Sequence, residues 1–107
     1  MRAMTRFLFV LIAAGLTAGA DDGRLADAIY RAEGGKLARV PYGITTMHVR
    51  DANHARQICL RTIRSARRDW DGHGDFLVHL GRRYCPPSVD PTGHRNWVLN
   101  TRRLYRP

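Results

Sequence analysis

A short apolar run near the start of the chain, Phe7 to Leu16, limits how much of the sequence is available to build a fold. Two arginines precede this run and Ala18-Gly19-Ala20 follows it, which gives the three parts of a secretory signal peptide. The run is also shorter than the roughly 20 residues that a membrane-spanning helix needs. We therefore expect cleavage after Ala20 and no stable membrane anchor in the mature protein. The alternative is an N-terminal helix that is retained as a tether or as part of the core.

Removal of residues 1–20 would leave residues 21–107, which are enough for one domain and too few for two. The whole chain has 18 basic and 9 acidic residues, and loss of Arg2 and Arg6 would leave a net charge of +7. This balance predicts an anionic partner. For a secreted protein of the periplasm or the extracellular space, we expect that partner to be the cell wall or a membrane surface and not nucleic acid. The alternative is that much of the arginine lies on solvated helix faces.

Cys59 and Cys85 are the only cysteines in the chain. An even pair of cysteines in a small exported domain predicts one disulfide bond. That bond would join the second predicted helix to the end of the third. Two buried free thiols are one alternative, and a catalytic cysteine is another.

Apolar spacing predicts a mainly α fold with four helices, because apolar residues recur at intervals of three and four. Glycine, proline and aspartate between these stretches predict turns, including a loop from Ser88 to Gly93. The segment from Val40 to Val49 is richer in β-branched and aromatic residues and predicts a short extended pair. The four predicted helices run from Gly23 to Glu33, Asp51 to Trp70, Asp75 to Arg83 and His94 to Tyr105.

Glu33 is the single glutamate of the chain, and it closes the first predicted helix just before Gly34-Gly35. The negative end of the helix dipole and apolar neighbours such as Ile29 or Ile44 would both raise the pKa of its carboxyl. A carboxylic acid that is still protonated near neutral pH can donate its proton to a leaving oxygen, as glycoside cleavage requires. The alternative is an ordinary exposed residue at a helix end.

Three short motifs occur in a fixed order: Ala28 to Gly35, then Pro41-Tyr42-Gly43-Ile44, then Asn96-Trp97-Val98. Together they resemble an abbreviated member of the lysozyme-like lytic transglycosylases. In that family the catalytic glutamate ends a helix as Glu-Ser-Gly-Gly, a Gly-Leu-Met-Gln turn follows, and a late helix supplies a tyrosine before a valine. The present chain lacks the serine, keeps only the start of the turn and has Trp97 in the tyrosine position.

The resemblance implies a small lysozyme-like transglycosylase domain over residues 21–107 that cleaves the β-1,4 bond between N-acetylmuramic acid and N-acetylglucosamine in peptidoglycan. It implies that Glu33 is the catalytic residue, that no metal or cofactor is needed, and that the partners are peptidoglycan glycan strands. Because the chain is shorter than typical members, we expect its cleft either to be shallow or to be completed by a partner from the envelope or the secretion machinery. The residues that the resemblance places at the substrate are Tyr42, Gly43, Ile44, Asn96, Trp97 and Tyr105.

Three other functions are compatible with the sequence. A hydrolytic lysozyme would need a second carboxylate at a defined separation, and the candidates are Asp51, Asp75 and Asp90, of which the first two are predicted helix caps. A non-enzymatic, exported envelope protein that binds glycan or an anion on the same scaffold is the main alternative. A cationic membrane-active protein is a third possibility. Structural zinc is not predicted, because the five histidines lack metal-binding spacing.

Overall fold

The computed structural model describes residues 21–45 and 47–106, and this part of the chain is mainly helical, as predicted. The predicted signal peptide, residues 1–20, lies outside the described residues. No helix within the described ranges is long and apolar enough to cross a membrane. The helices are α1 over residues 21–32, α2 (Ala52–Asp69), α3 (Phe76–Tyr84) and α4 (Pro91–Tyr105), and two short 3-10 turns, Gly35–Leu37 and Pro41–Gly43, lie between α1 and α2.

Three aspartates begin the last three helices. Asp51 accepts a hydrogen bond from the backbone N–H of His54 at 2.7 Å, and Asp75 does the same for Leu77 at 2.9 Å. Each bond satisfies one of the N–H groups that a helix start leaves without a partner.

The start of α4 differs from the prediction. Asp90 caps it by accepting from the N–H of Gly93, so the helix begins at Pro91 and not at His94. Proline is favoured at the first position of a helix because its missing N–H would have no partner there. The predicted loop over residues 88–93 is therefore too long.

The core lies where the four helices meet. Leu25 and Ile29 from α1, Ile63 from α2 and Leu80 from α3 are fully buried, and Trp97 from α4 is almost so. These residues share one apolar cluster, so the packing of all four helices fixes the position of each.

Gly81 allows α3 and α4 to approach each other closely. A β carbon at this position would lie 3.1 Å from both the His94 ring and the Trp97 ring. Any larger residue would push α4 away from α3, and the Trp97 side chain would move with it.

The predicted extended pair is wrong, because no strand forms within residues 21–45 and 47–106. Pro41, Tyr42 and Gly43 form a 3-10 turn instead, with φ angles of 58° at Tyr42 and 68° at Gly43. Two consecutive left-handed residues turn the chain sharply, so the β-branched residues that follow cannot continue a strand from this point.

The predicted disulfide is also wrong, because Cys59 and Cys85 are both free thiols. Cys59 lies on the buried face of α2, where its Sγ accepts a hydrogen bond from the Tyr84 hydroxyl at 3.4 Å. Cys85 ends α3, and its Sγ lies 4.0 Å from the backbone oxygen of Asp90, at the start of α4. The two side chains therefore contact different parts of the fold, and Cys85 is only half-buried.

Candidate functional site

Glu33 lies just beyond the last turn of α1. Its backbone N–H donates to the carbonyl of Ile29 at 3.0 Å, which continues the helical hydrogen bonding by one residue. Its side chain turns toward α4, where the indole Nε1–H of Trp97 donates to Glu33 Oε1 at 3.0 Å. These two residues are 64 positions apart in the sequence, so the contact depends on the complete fold.

Gly43 packs against the carboxyl group of Glu33. A β carbon at position 43 would lie 2.7 Å from both Cδ and Oε2 of Glu33, closer than such atoms can approach. The φ angle of Gly43 is 68°, a conformation that residues with a side chain rarely adopt. Space and backbone conformation therefore both require glycine at this position.

Tyr42 holds the turn in place against Glu33. It is the one residue other than glycine with a positive φ angle in the described part of the chain, which is unusual for an aromatic residue. Its ring is buried, belongs to the apolar core cluster and lies 5.1 Å from the ring of Tyr30. These contacts offset a backbone conformation that costs about 1 to 3 kcal/mol.

Burial raises the pKa of the Glu33 carboxyl above its ordinary value, and the hydrogen bond from Trp97 partly opposes that rise. The direction of the shift follows from desolvation, because a half-buried carboxylate loses more hydration than a neutral carboxyl group does. Within residues 21–45 and 47–106, Glu33 forms no salt bridge that would lower its pKa further.

The side chains that pack behind the Trp97 indole are neutral. The Tyr84 ring stacks on Trp97 with 5.0 Å between centroids and 14° between planes, and its hydroxyl contacts Cys59. Burial raises the pKa of the Cys59 thiol to about 11 and also raises the pKa of the Tyr84 hydroxyl, so both groups stay protonated at neutral pH. They therefore contribute no charge beside Glu33.

The structure brings together only part of the site that the sequence predicts. Glu33, Gly43 and Trp97 are in contact, and Tyr42 supports Gly43 from the core. Ile44 packs against the core and lines a separate cavity of about 390 Å³ beside the same turn.

Two of the predicted substrate residues lie away from the carboxyl group. Asn96 is exposed, although it adjoins Trp97 in the sequence. Tyr105 lies eight residues beyond Trp97, which is about 12 Å along a helix. There the guanidinium carbon of Arg24 stands 5.1 Å from the centre of its ring. Neither residue extends the set formed by Glu33, Gly43 and Trp97.

Tyr84 and Cys59 lie near this site, although neither belongs to the predicted set of substrate residues. Tyr84 follows Gly81 by three residues, so both lie on the side of α3 that meets α4. That spacing is the signal that could have placed Tyr84 against Trp97. Cys59 is predicted to form a disulfide, whereas its thiol is free, buried and hydrogen-bonded to Tyr84.

No group of three or more potential metal ligands occurs among the residues that the structure describes. The site thus consists of one carboxyl group, one indole donor and close-packed backbone.

No protein-family model, no curated protein and no solved structure matches this chain.

Proposed function

We propose that this protein is an exported lytic transglycosylase that cleaves the β-1,4 bond between N-acetylmuramic acid and N-acetylglucosamine, with Glu33 as its single catalytic residue. The observation that supports this most strongly is the half-buried Glu33 carboxyl, which has a raised pKa and a hydrogen bond from Trp97. Such a group holds a proton closer to neutral pH than an exposed glutamate does.

In the first step, Glu33 acts as a general acid. The Trp97 N–H occupies Oε1, so we place the transferable proton on Oε2. This proton passes to the glycosidic oxygen as the bond from that oxygen to C1 of the muramic sugar breaks, and the leaving sugar keeps the bonding electron pair. The substrate's own acetamido group stabilises the positive charge at C1.

In the second step, Glu33 acts as a general base. Its carboxylate takes the proton from the C6 hydroxyl of the muramic sugar while O6 forms a bond to C1. The product is a 1,6-anhydro sugar, and Glu33 returns to its protonated form. Trp97 supports the carboxylate between the two steps, because a hydrogen bond to an ionised acceptor is stronger than one to a neutral acceptor.

The test is digestion of purified peptidoglycan, followed by mass analysis of the products. The wild type should release anhydro-muropeptides, and Glu33→Gln should lose about 100- to 10,000-fold in rate, the usual contribution of a general acid-base residue. Asp90→Asn is the matched control, because it removes the same charge and asparagine caps a helix as well as aspartate does. The control should keep the wild-type rate.

Other products would identify other functions. Reducing-end sugars from the wild type would indicate a hydrolytic lysozyme. Binding of peptidoglycan by both proteins, with turnover by neither, would indicate a non-enzymatic glycan-binding envelope protein.

A further inference from the structure

A row of three arginines runs along the exposed face of α2. Arg61, Arg64 and Arg68 follow one another at intervals of three and four residues, and all three are exposed. At 1.5 Å of rise per residue, their backbone positions are about 4.5 Å and 6 Å apart along the helix axis. We call these three residues the α2 arginine stripe.

No carboxylate neutralises the α2 arginine stripe within the part of the chain that the structure describes. All nine acidic residues of the sequence fall in that part, and each contacts another group. Asp51, Asp71 and Asp90 bind backbone N–H groups, and Glu33 binds Trp97. The ion pairs to arginine are Asp21–Arg24, Asp22–Arg67, Asp27–Arg56, Asp69–Arg83 and Asp75–Arg102.

The stripe works against the stability of its own helix. Arg61 and Arg64 are three residues apart and Arg64 and Arg68 are four apart, so both pairs place like charges next to each other on the helix surface. Other arginines of α2 avoid this situation, because Arg56 and Arg67 pair with aspartates of α1. A bound polyanion would relieve the repulsion that remains.

We propose that the α2 arginine stripe binds a linear polyol phosphate, a chain of phosphodiester groups that carries no nucleobases. The planar guanidinium group matches the oxygens of a phosphate with two parallel hydrogen bonds. A single row of cations suits a linear chain of anions more than it suits a compact anionic ligand.

The surroundings of the stripe disfavour two other polyanions. Single-stranded nucleic acid is bound through aromatic side chains on which bases stack, and α2 contains no phenylalanine, tyrosine or tryptophan. Attachment to a membrane surface needs an apolar face beside the cations, whereas Thr62 and Ser65 lie among these arginines.

The stripe is separate from the proposed catalytic site. Cys59, which lies near Glu33, is on the opposite, buried side of α2. The inference therefore goes beyond the proposed function and holds whether or not Glu33 is catalytic.

Binding of poly(glycerol phosphate) to the purified protein tests the proposal. The variant Arg61→Gln/Arg64→Gln/Arg68→Gln keeps good helix formers on α2 and should bind at least 10-fold more weakly at low salt. The dependence of log affinity on log salt should become shallower by about 2, since each of three phosphate contacts contributes roughly 0.7. Circular dichroism and thermal unfolding verify that the variant is folded.

The matched control is Arg82→Gln/Arg95→Gln/Arg103→Gln, which removes three exposed arginines from α3 and α4. Its affinity should stay within about threefold of the wild type. An equal loss in both triple variants would show that net charge alone drives binding and would overturn the proposal. The absence of any binding by the wild type would also overturn the proposal. Tighter binding of the wild type to oligo-dT, polyglutamate or anionic vesicles than to poly(glycerol phosphate) would overturn it as well.

Peptidoglycan from which polyol phosphate has been removed separates this proposal from the catalytic one. The α2 stripe variant should digest it at the wild-type rate, whereas Glu33→Gln should not digest it.

Discussion

The β carbon that Gly43 lacks would lie 2.7 Å from the carboxyl carbon of Glu33. The turn between α1 and α2 therefore packs directly on the acid and removes water from one side of it. Trp97 contacts the same carboxyl group from α4. The burial that raises the pKa of Glu33 thus includes a backbone contact, whereas the Trp97 hydrogen bond opposes the rise.

Gly43→Ala should be destabilising, because the added methyl group meets Glu33 and because alanine disfavours a φ angle of 68°. Strain and overpacking contribute about 1 to 3 kcal/mol each, so we expect the free energy of unfolding to fall by about 2 to 6 kcal/mol. Gly74→Ala is the control, since Gly74 also has a positive φ but faces open space. Chemical denaturation should show a clearly larger loss for Gly43→Ala, and equal losses would mean that the contact with Glu33 is absent.

Trp97→Phe should raise the pKa of Glu33 further. The substitution removes the hydrogen bond that favours the carboxylate and keeps an aromatic ring against Tyr84. The side-chain carboxyl carbon of the single glutamate gives one NMR signal in glutamate-labelled protein, so its titration is directly observable. Trp70→Phe, which loses a bond to the backbone oxygen of His73, should leave this titration unchanged. A lower or unaltered pKa in Trp97→Phe would contradict the hydrogen bond.

Glu33→Gln should stabilise the protein at neutral and alkaline pH. The folded pKa of Glu33 is raised above 4.5, so the native state binds this proton more tightly than the unfolded state does. The wild type therefore loses stability as the pH rises from the unfolded pKa through the folded one. Glutamine has no such proton and still accepts the Trp97 hydrogen bond. The stability difference between variant and wild type should be largest near pH 8 and smallest below pH 4.

Denaturant melts of both proteins across this range measure the difference. Asp90→Asn serves as the comparison, because that carboxylate is exposed at a helix cap. A Glu33→Gln difference that does not change with pH would show that Glu33 titrates alike in the folded and unfolded states.

Thiol titration should detect two free thiols in denaturant, and in the native protein Cys85 should react much faster than Cys59. Burial protects Cys59 and raises its pKa to about 11, so little thiolate is present at pH 8. Cys85→Ser should therefore abolish the fast native reaction, whereas Cys59→Ser should keep it. If no thiol is detected in denatured, unreduced protein, the two cysteines form a disulfide bond and this prediction is wrong.

The helices were largely predictable because local signals agreed with the final packing. Asp51 and Asp75 cap the helices that they were predicted to cap, and apolar spacing identified the buried faces around Ile29 and Ile63. The start of α4 was missed because Pro91 was interpreted as part of a loop, although the first turn of a helix favours proline.

The details of the site depended on tertiary contacts that no local pattern contains. The sequence indicated Glu33 and Trp97 as candidate site residues, but it did not predict the direct hydrogen bond between their side chains. The left-handed conformation of Tyr42 was equally hidden, because an aromatic residue seldom adopts it unless its buried ring is held elsewhere. Cys59 and Cys85 form no disulfide because their side chains contact different parts of the fold. The number of cysteines does not predict how their side chains are oriented.

The 64-residue separation between Glu33 and Trp97 makes the acid sensitive to the integrity of the whole polypeptide. Residues 86–90, between α3 and α4, are exposed, so a protease has access to them. A single cut there followed by release of the C-terminal fragment would leave Glu33 as an ordinary, solvated carboxylate. Loss of the proposed activity would then require no damage to Glu33 itself.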